Sequence, residues 1–345
     1  MAEAKSDGSP EGLVEAIERN NMQPLWDRSS RVNTNEPRAI DPPMHWQWTN
    51  FGPLIERAAR EVRMPEAERR VMMLTNPAFG GNPQTTTNLV GALQILEPGE
   101  SAPAHRHTAA AIRFIMEADG GKTFVDGTAL EMKPGDCILT PGWTWHGHIN
   151  DTDHRIVWFD GLDVPLARFS LDTYFFEPHA PAGAIERASS LTAPGRWAQS
   201  GLAPTGPRSE APDYSPKLRY AWADTLTMLD ALEPGDDGST SVQYVNPQTG
   251  GAVFPTIDCW ALRLEPGRET FPHRSTSNAI CIVVDGEGRS TIGERSFEWS
   301  KHDIFSIPHW NWTKHHSENG RAHLFFFSDR ELYRRLAYLR EEVGR

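Results

Sequence analysis

Two short stretches carry residue types that could do chemistry: His105-Arg106-His107, and His146, thirty-nine residues further on. In an extended strand alternate side chains share a face, so a histidine, one residue and a second histidine put two imidazoles on the same side. The intervening run reads as strands and tight turns, which would let His146 converge with the pair across a small barrel. Neutral imidazole suits borderline metals such as Fe, Mn, Cu, Ni or Zn. The plainer alternative is a pair of satisfied polar residues inside a barrel. No carboxylate follows as a fourth ligand, because the next residues are Thr108-Ala109-Ala110-Ala111-Ile112-Arg113. A three-histidine site keeps the full 2+ charge of the ion and leaves about three positions for an anionic substrate and dioxygen together. Arg113 adds a cation suited to a carboxylate, unless it belongs to a surface ion pair.

The elements that would hold these residues follow from texture. The 345 residues suit two domains of ordinary size. A formal charge of -12 argues against nucleic acid as a partner. No apolar run approaches the roughly 20 residues that span a bilayer, and the N-terminus MAEAKSDGSPEGLVEAIERN lacks the pattern of a signal peptide, so a cytoplasmic protein with no membrane partner is expected. Cys137, Cys259 and Cys281 are scattered and read as buried free thiols. Residues 10–27 predict a helix, with Ser9 as N-cap, Pro10 at the first position and Leu13, Val14 and Ile17 on one face. A second helix fits 53–62, through Leu54, Ile55, Ala58 and Ala59. From Val71 onward, apolar clusters of four to eight residues divided by Gly, Pro, Asn and Asp predict an all-β fold, with a hairpin turn at Val125-Asp126-Gly127.

An internal repeat organises the whole. Asn76-Pro77 with Gly80-Gly81 returns as Asn246-Pro247 with Gly250-Gly251, an offset of 170 residues, and Leu96-Glu97-Pro98-Gly99 returns as Leu264-Glu265-Pro266-Gly267, an offset of 168. His105-Arg106 recurs as His273-Arg274, Asp136 as Asp303, and Pro141, Trp143 and Trp145 as Pro308, Trp310 and Trp312. Two copies of one β-barrel explain this order. The expected layout is a helical arm over 1–70, a first barrel over 71–180, a connector over 181–235 and a second barrel over 236–345. The last ends in a helix over 329–343 with Leu332, Leu336 and Leu339 as an apolar stripe. In the second copy Ser275 stands at the place of His107 and Thr313 at that of His146, so two of three ligands are lost. His315 and His316 are close enough to improvise a site, but a structural barrel is expected.

The spacings Gly99, five residues, His105, one residue, His107, and Gly135, five residues, Pro141, then His146 and Asn150, resemble the two cupin motifs. HRHTAAAIRFI, GDCILTPGWTWHGHIND and WFDGLD further resemble the gentisate 1,2-dioxygenase family, which includes enzymes for salicylate, 1-hydroxy-2-naphthoate and 5-nitrosalicylate. The resemblance covers nearly the whole chain. It implies a bicupin of two double-stranded β-helix (jelly-roll) barrels, assembled as a homotetramer. It also implies one Fe(II) per chain on His105, His107 and His146, in an extradiol-type enzyme that uses dioxygen to open a small aromatic acid between its carboxyl-bearing and hydroxyl-bearing carbons. By the same resemblance Arg113, His148 and Asp160 are catalytic groups, the last two as a proton-handling pair. Arg69 lies near the substrate carboxylate and Gln94 lies in the pocket.

The chain departs from that family at three positions. Gly147 stands where many members carry Asp, and Ala109-Ala110 where many carry a polar pair. Ala109, Ala110 and Gly147 are therefore expected to line a pocket with few partners for a ring hydroxyl. That expectation favours a 5-substituted salicylate such as 5-nitrosalicylate over gentisate, and has Gly147→Asp move preference toward gentisate. A cupin sugar isomerase and a non-catalytic metal-binding cupin are the readings from other classes.

Overall fold

Among the described residues four antiparallel sheets form, two in each copy of the repeat. They belong to a computed structural model that describes residues 10–64, 68–190 and 213–344. In the first copy one sheet carries Cys137–Thr140, Ala111–Glu117, Ile156–Leu162, Val90–Leu96 and Val71–Leu74, and the other carries Ser101–His107, His146–Ile149, Lys122–Val125 and Thr128–Glu131. The second copy repeats this with Ile304–Ile307, Ala279–Asp285, Ala322–Ser328, Asp258–Leu264 and Ser239–Gln243, then Arg295–Ser300, Glu287–Ile292, Thr313–Ser317 and His273–Ser275.

Alternation along the strands decides what each side chain does. On Ala111–Glu117, Ile112 and Phe114 turn out of the barrel into a core shared with Ile280, Ile282, Phe325 and Phe327 of the second copy, and the rings of Phe114 and Phe325 stack at 4.3 Å. Ile115 turns inward to a separate cluster with Leu96, Ile138, Ile156 and Trp158 that plugs the first barrel. Each fully buried Phe, Leu or Ile here contributes about 1.5–3 kcal/mol. The Asp126-Gly127 turn forms as expected, with φ 43° and 78°, between paired Val125 and Thr128.

The segment preceding each barrel attaches to the other one. His45–Trp46 adds an edge strand to Ile304–Ile307, and Asp303 accepts hydrogen bonds from the Trp48 N–H (2.7 Å) and from His45 Nε2 (2.9 Å). Symmetrically, Arg219–Tyr220 adds to Cys137–Thr140, and Asp136 accepts from the Trp222 N–H (2.9 Å) and Arg219 Nε (2.6 Å). The recurrence of Asp136 as Asp303 therefore marks an exchange of docking strands, which ties the stretches read as arm and connector into the sheets. Of the connector, residues 191–212 lie outside the described residues.

Three helix expectations change. Residues 10–27 split into Pro10–Arg19 and Leu25–Val32, because Asn21 takes φ 56° and Pro24 precedes the second helix; these lie in a compact unit, Met1–Arg38, separate from Ala39–Arg345. The cap assigned to Ser9 falls outside the described residues. The helix expected over 53–62 is Trp48–Glu61, and its buried face runs through Phe51 and Ile55 while Leu54 is exposed. At the C-terminus the helix is only Arg330–Arg335, ended by Ala337 at φ 58°. The strand Glu341–Val343 follows and pairs with His273–Ser275, leaving Leu336 exposed. No described helix is long and apolar enough to cross a membrane, and all three cysteines are buried and free.

Candidate metal centre

Strand Ser101–His107 runs antiparallel to His146–Ile149 with His105 opposite His146, and His107 follows on the same face. The imidazole rings lie 4.1 Å (His105 to His146), 4.8 Å (His107 to His146) and 5.4 Å (His105 to His107) apart, and one ring nitrogen of each lies within 4.8 Å of the others. Each Nδ1 faces a backbone carbonyl two residues away: Pro103 (3.4 Å), Ala109 (2.9 Å) and Thr144 (2.9 Å). A carbonyl can only accept, so Nδ1 carries the hydrogen and Nε2 presents its lone pair, the tautomer a metal ligand needs. His146 Nε2 is buried without a hydrogen-bond partner. The donor set fits a borderline divalent metal.

Burial above all, helped by the nearby Arg69 guanidinium, depresses His105 to about 2. Burial depresses His107 to about 4 and holds His146 well below its ordinary value. All three are neutral near pH 7, as metal binding requires. The sign of the linkage is that of a depressed histidine. Below its ordinary 6.5 the unfolded chain takes up protons that the folded chain refuses, and stability falls by about 1.4 kcal/mol per pH unit per histidine until the folded value is reached. Acid titration followed by circular dichroism should show unfolding between pH 6.5 and 4, with chelator-treated protein failing at the higher pH. Coincident curves with and without chelator would contradict a metal held by these histidines.

Opposite the histidines, Arg113 and Asp160 sit across from one another on neighbouring strands, with Arg113 Nε 3.2 Å from Asp160 Oδ1. The pair is close but poorly aligned, and neither atom makes a hydrogen bond. Arg113 instead donates from Nη1 to Thr140 Oγ1. Burial pushes the Asp160 carboxyl up against the pull of Arg113. Deeper in, His148 Nδ1 meets Thr123 Oγ1 at 3.0 Å and its ring packs on Trp158 at 4.9 Å. His148 Nε2 and Gln94 Nε2 are buried without partners, as is Arg69 Nε, while the Trp158 indole N–H turns toward Asp160 and helps to hold its carboxyl down.

The fold brings together His105, His107, His146, Arg113, Asp160, Gln94, His148 and Arg69, and it differs from the sequence expectation in three details. Among the described residues Asp160 pairs with Arg113 and His148 with Thr123, so the expected His148–Asp160 pair does not form directly. Ala110 faces the core between the barrels with Ile112 and Phe114, and its N–H donates to Asp163, while Ala109 lends its carbonyl to His107. Gly147 lies between two inward histidines and so faces outward: a Cβ there would meet the Ala102 carbonyl oxygen at 3.0 Å and the Ala104 backbone at 3.2 Å. Gly147→Asp should therefore cost about 1–3 kcal/mol in thermal unfolding and leave the ratio of kcat/KM between substrates unchanged. A shift of that ratio would restore the pocket role.

Tyr174 and Phe176 join the site without being singled out by any motif of the sequence. Phe176 packs on His105 at 5.7 Å and under the Arg69 guanidinium at 5.7 Å, and Tyr174 stacks near His107 at 6.3 Å. The run Tyr174-Phe175-Phe176 was the available signal, and strand Phe176–Glu177 brings it onto Arg106-His107.

The second barrel lacks this machinery. His273 faces Thr313, and Cys281 faces Phe326 at the register of Arg113 and Asp160. His315 takes the place of His148, with Ser290 Oγ at 2.7 Å from Nδ1 as Thr123 is from His148. His316 alternates to the half-buried outer positions. Among the described residues only His105, His107 and His146 form a metal cluster.

Fold and site together define a bicupin with one three-histidine metal centre. Residues 92–164 match the Cupin domain family. Gentisate 1,2-dioxygenase of Streptomyces sp is 37% identical over 93% of this chain and 92% of its own length, and 5-aminosalicylate 1,2-dioxygenase of Comamonas sp is 35% identical over 96% and 90%. The crystal structure of salicylate 1,2-dioxygenase from Pseudaminobacter salicylatoxidans superposes with a TM-score of 0.85 at 30% identity, over 99% of both chains. The chain belongs to the gentisate and salicylate 1,2-dioxygenase family of aromatic ring-cleaving oxidoreductases. That membership sets aside the sugar-isomerase and non-catalytic readings.

Proposed function

We propose that this chain is an Fe(II) extradiol-type dioxygenase that opens a salicylate-type acid carrying a hydrogen-bonding 5-substituent, gentisate or 5-aminosalicylate. The observation that carries the reading is the pair of buried, unpartnered polar atoms, Gln94 Nε2 and His148 Nε2, in the barrel that also holds the three histidines. This revises the expectation of a pocket poor in polar partners, since Ala110 and Gly147 face away from it.

Iron on His105, His107 and His146 would supply open positions where the acid and dioxygen meet in one shell. Arg69, braced on Phe176, would hold the substrate carboxylate. Arg113, kept cationic beside Asp160, would offset negative charge that builds on the oxygen joined to the ring. His148, its Nδ1 held by Thr123, would exchange the ring-hydroxyl proton at Nε2. Gln94 would hold the 5-substituent.

Gentisate and 5-aminosalicylate should exceed 5-nitrosalicylate in kcat/KM by about tenfold or more, because a nitro group accepts hydrogen bonds poorly. Gln94→Leu should narrow that gap. Steady-state oxygen uptake on the iron-loaded enzyme checks both, and a preference for 5-nitrosalicylate would reverse the assignment.

A further inference from the structure

The second barrel retains a cavity of about 420 Å³, whose lining includes the exposed side chains of Phe271 and Val343. The volume is in the range of small-molecule sites. His273 and Thr313 line it at the positions where the first barrel places His105 and His146.

Its chemistry is not that of the first barrel. Arg330 donates to Glu341 (2.7 and 2.8 Å) and to Asp258 (3.3 Å), and Arg274 donates to Glu342 (2.7 Å). The Asp237 carboxylate accepts from the Ser239 N–H and hydroxyl and from the Phe271 N–H. Each arginine on the wall already serves a carboxylate, so an anionic ligand would have to break an existing pair. An uncharged ligand would not.

One buried atom on the wall is left without a partner, His315 Nε2. Its hydrogen can be placed by following the network. Trp299 Nε1 donates to Ser290 Oγ at 2.8 Å, and among the described residues the fully buried Ser290 hydroxyl has one acceptor for its own hydrogen, His315 Nδ1 at 2.7 Å. Nδ1 thus accepts, and Nε2 carries the ring hydrogen. His315 is 1% exposed, and with Nδ1 turned to the Ser290 wall, Nε2 points the opposite way, into the cavity that His315 lines. A donor buried in this way costs about 1–3 kcal/mol until something accepts from it. Beside it Trp260 and Phe326, stacked on one another at 5.0 Å with planes 6° apart, supply aromatic surface to the lining of the cavity.

We propose that the second barrel binds a small uncharged aromatic molecule, whose acceptor oxygen takes the His315 Nε2–H and whose ring packs on Trp260 and Phe326. The site is separate from the metal centre, and the inference does not rest on the reaction assigned there.

Benzamide is the probe and benzoate its charged counterpart. Calorimetric titration of the metal-loaded wild type, under argon with saturating gentisate, should show saturable benzamide binding. Binding should weaken about tenfold in His315→Phe, which loses the donor, and in Ser275→Phe, which fills the cavity. Benzoate should bind about tenfold more weakly than benzamide. Neither variant touches the first barrel, so unchanged ring cleavage reports that each has folded. Absence of saturable benzamide binding, wild-type affinity in either variant, or benzoate binding as tightly as benzamide would overturn the proposal. A crystal of the wild type grown with benzamide gives an answer independent of the variants. Benzamide beside His315 and Trp260 supports the proposal, and a water alone on His315 Nε2, or benzamide in the first barrel only, overturns it.

Discussion

His146→Ala should strip the protein of its metal, from one equivalent per chain to less than about a tenth, and lower turnover by about 1,000-fold or more. His146 is 1% exposed, and its lone pair faces the other two imidazoles with nothing else to accept it. Alanine leaves two ligands where three were preorganised, and the neighbouring carboxylate that could substitute, Asp160, is committed to Arg113. The matched control is His273→Ala. His273 sits at the register of His105 but faces Thr313, so metal content and turnover should both be unchanged. Elemental analysis after gel filtration decides the matter: a full equivalent retained by His146→Ala, or two in the wild type with one lost from His273→Ala, would contradict a single centre.

The ligand set was legible because strand alternation is a local rule. His105 and His107 differ by two residues and must share a face, and the turn-rich run before His146 had to return the chain beside them. The same rule, applied one residue further, places Gly147 outside, so its assignment to the pocket conflicted with what the sequence already implied. Ala110 failed for another reason. Whether an inward or an outward face is buried depends on what packs outside the barrel, and here the second copy does, so both faces of Ala111–Glu117 are buried and burial alone does not separate the pocket side from the side that carries Ala110, Ile112 and Phe114. The C-terminal stretch misled because Leu332, Leu336 and Leu339 have helical spacing, whereas Ala337 turns left-handed and Glu342 pairs with Arg274 in a strand.

The repeat also means something different from shared chemistry. Arg106 lies over Trp143 and Trp145, with its guanidinium carbon 4.3 and 4.5 Å from the ring centres, and Arg274 lies over Trp310 and Trp312 at 4.2 and 4.7 Å. Each arginine also pairs with a carboxylate on a following edge strand, Glu177 or Glu342. Cation–π contacts of this kind contribute about 0.5–2 kcal/mol each. Arg106, Trp143 and Trp145 recur as a set that locks the barrel wall, whereas of the three metal ligands His105 alone has a histidine at the matching position.

Arg113→Met should abolish most turnover, and the way it does so separates catalysis from stability. Arg113 is 3% exposed, so removing it strands a buried Asp160 carboxylate, and breaking such a pair costs about 3–5 kcal/mol. Loss of activity in that variant alone would not distinguish a missing catalytic cation from a weakened fold. The second barrel shows the remedy, since at the same register it carries Cys281 and Phe326, an apolar pair that packs without charge. The double variant Arg113→Met/Asp160→Leu should therefore recover most of the thermal stability and keep its metal, because His105, His107 and His146 are untouched. Its kcat/KM should remain about 100- to 1,000-fold below wild type if Arg113 neutralises charge on the reacting oxygen. Arg113→Lys keeps the charge but loses the planar fork that reaches Thr140, and should fall between the two. Metal content, unfolding temperature and kcat/KM measured on all three variants test the assignment, and a stable, metal-loaded double variant with turnover within tenfold of wild type would remove Arg113 from the reaction.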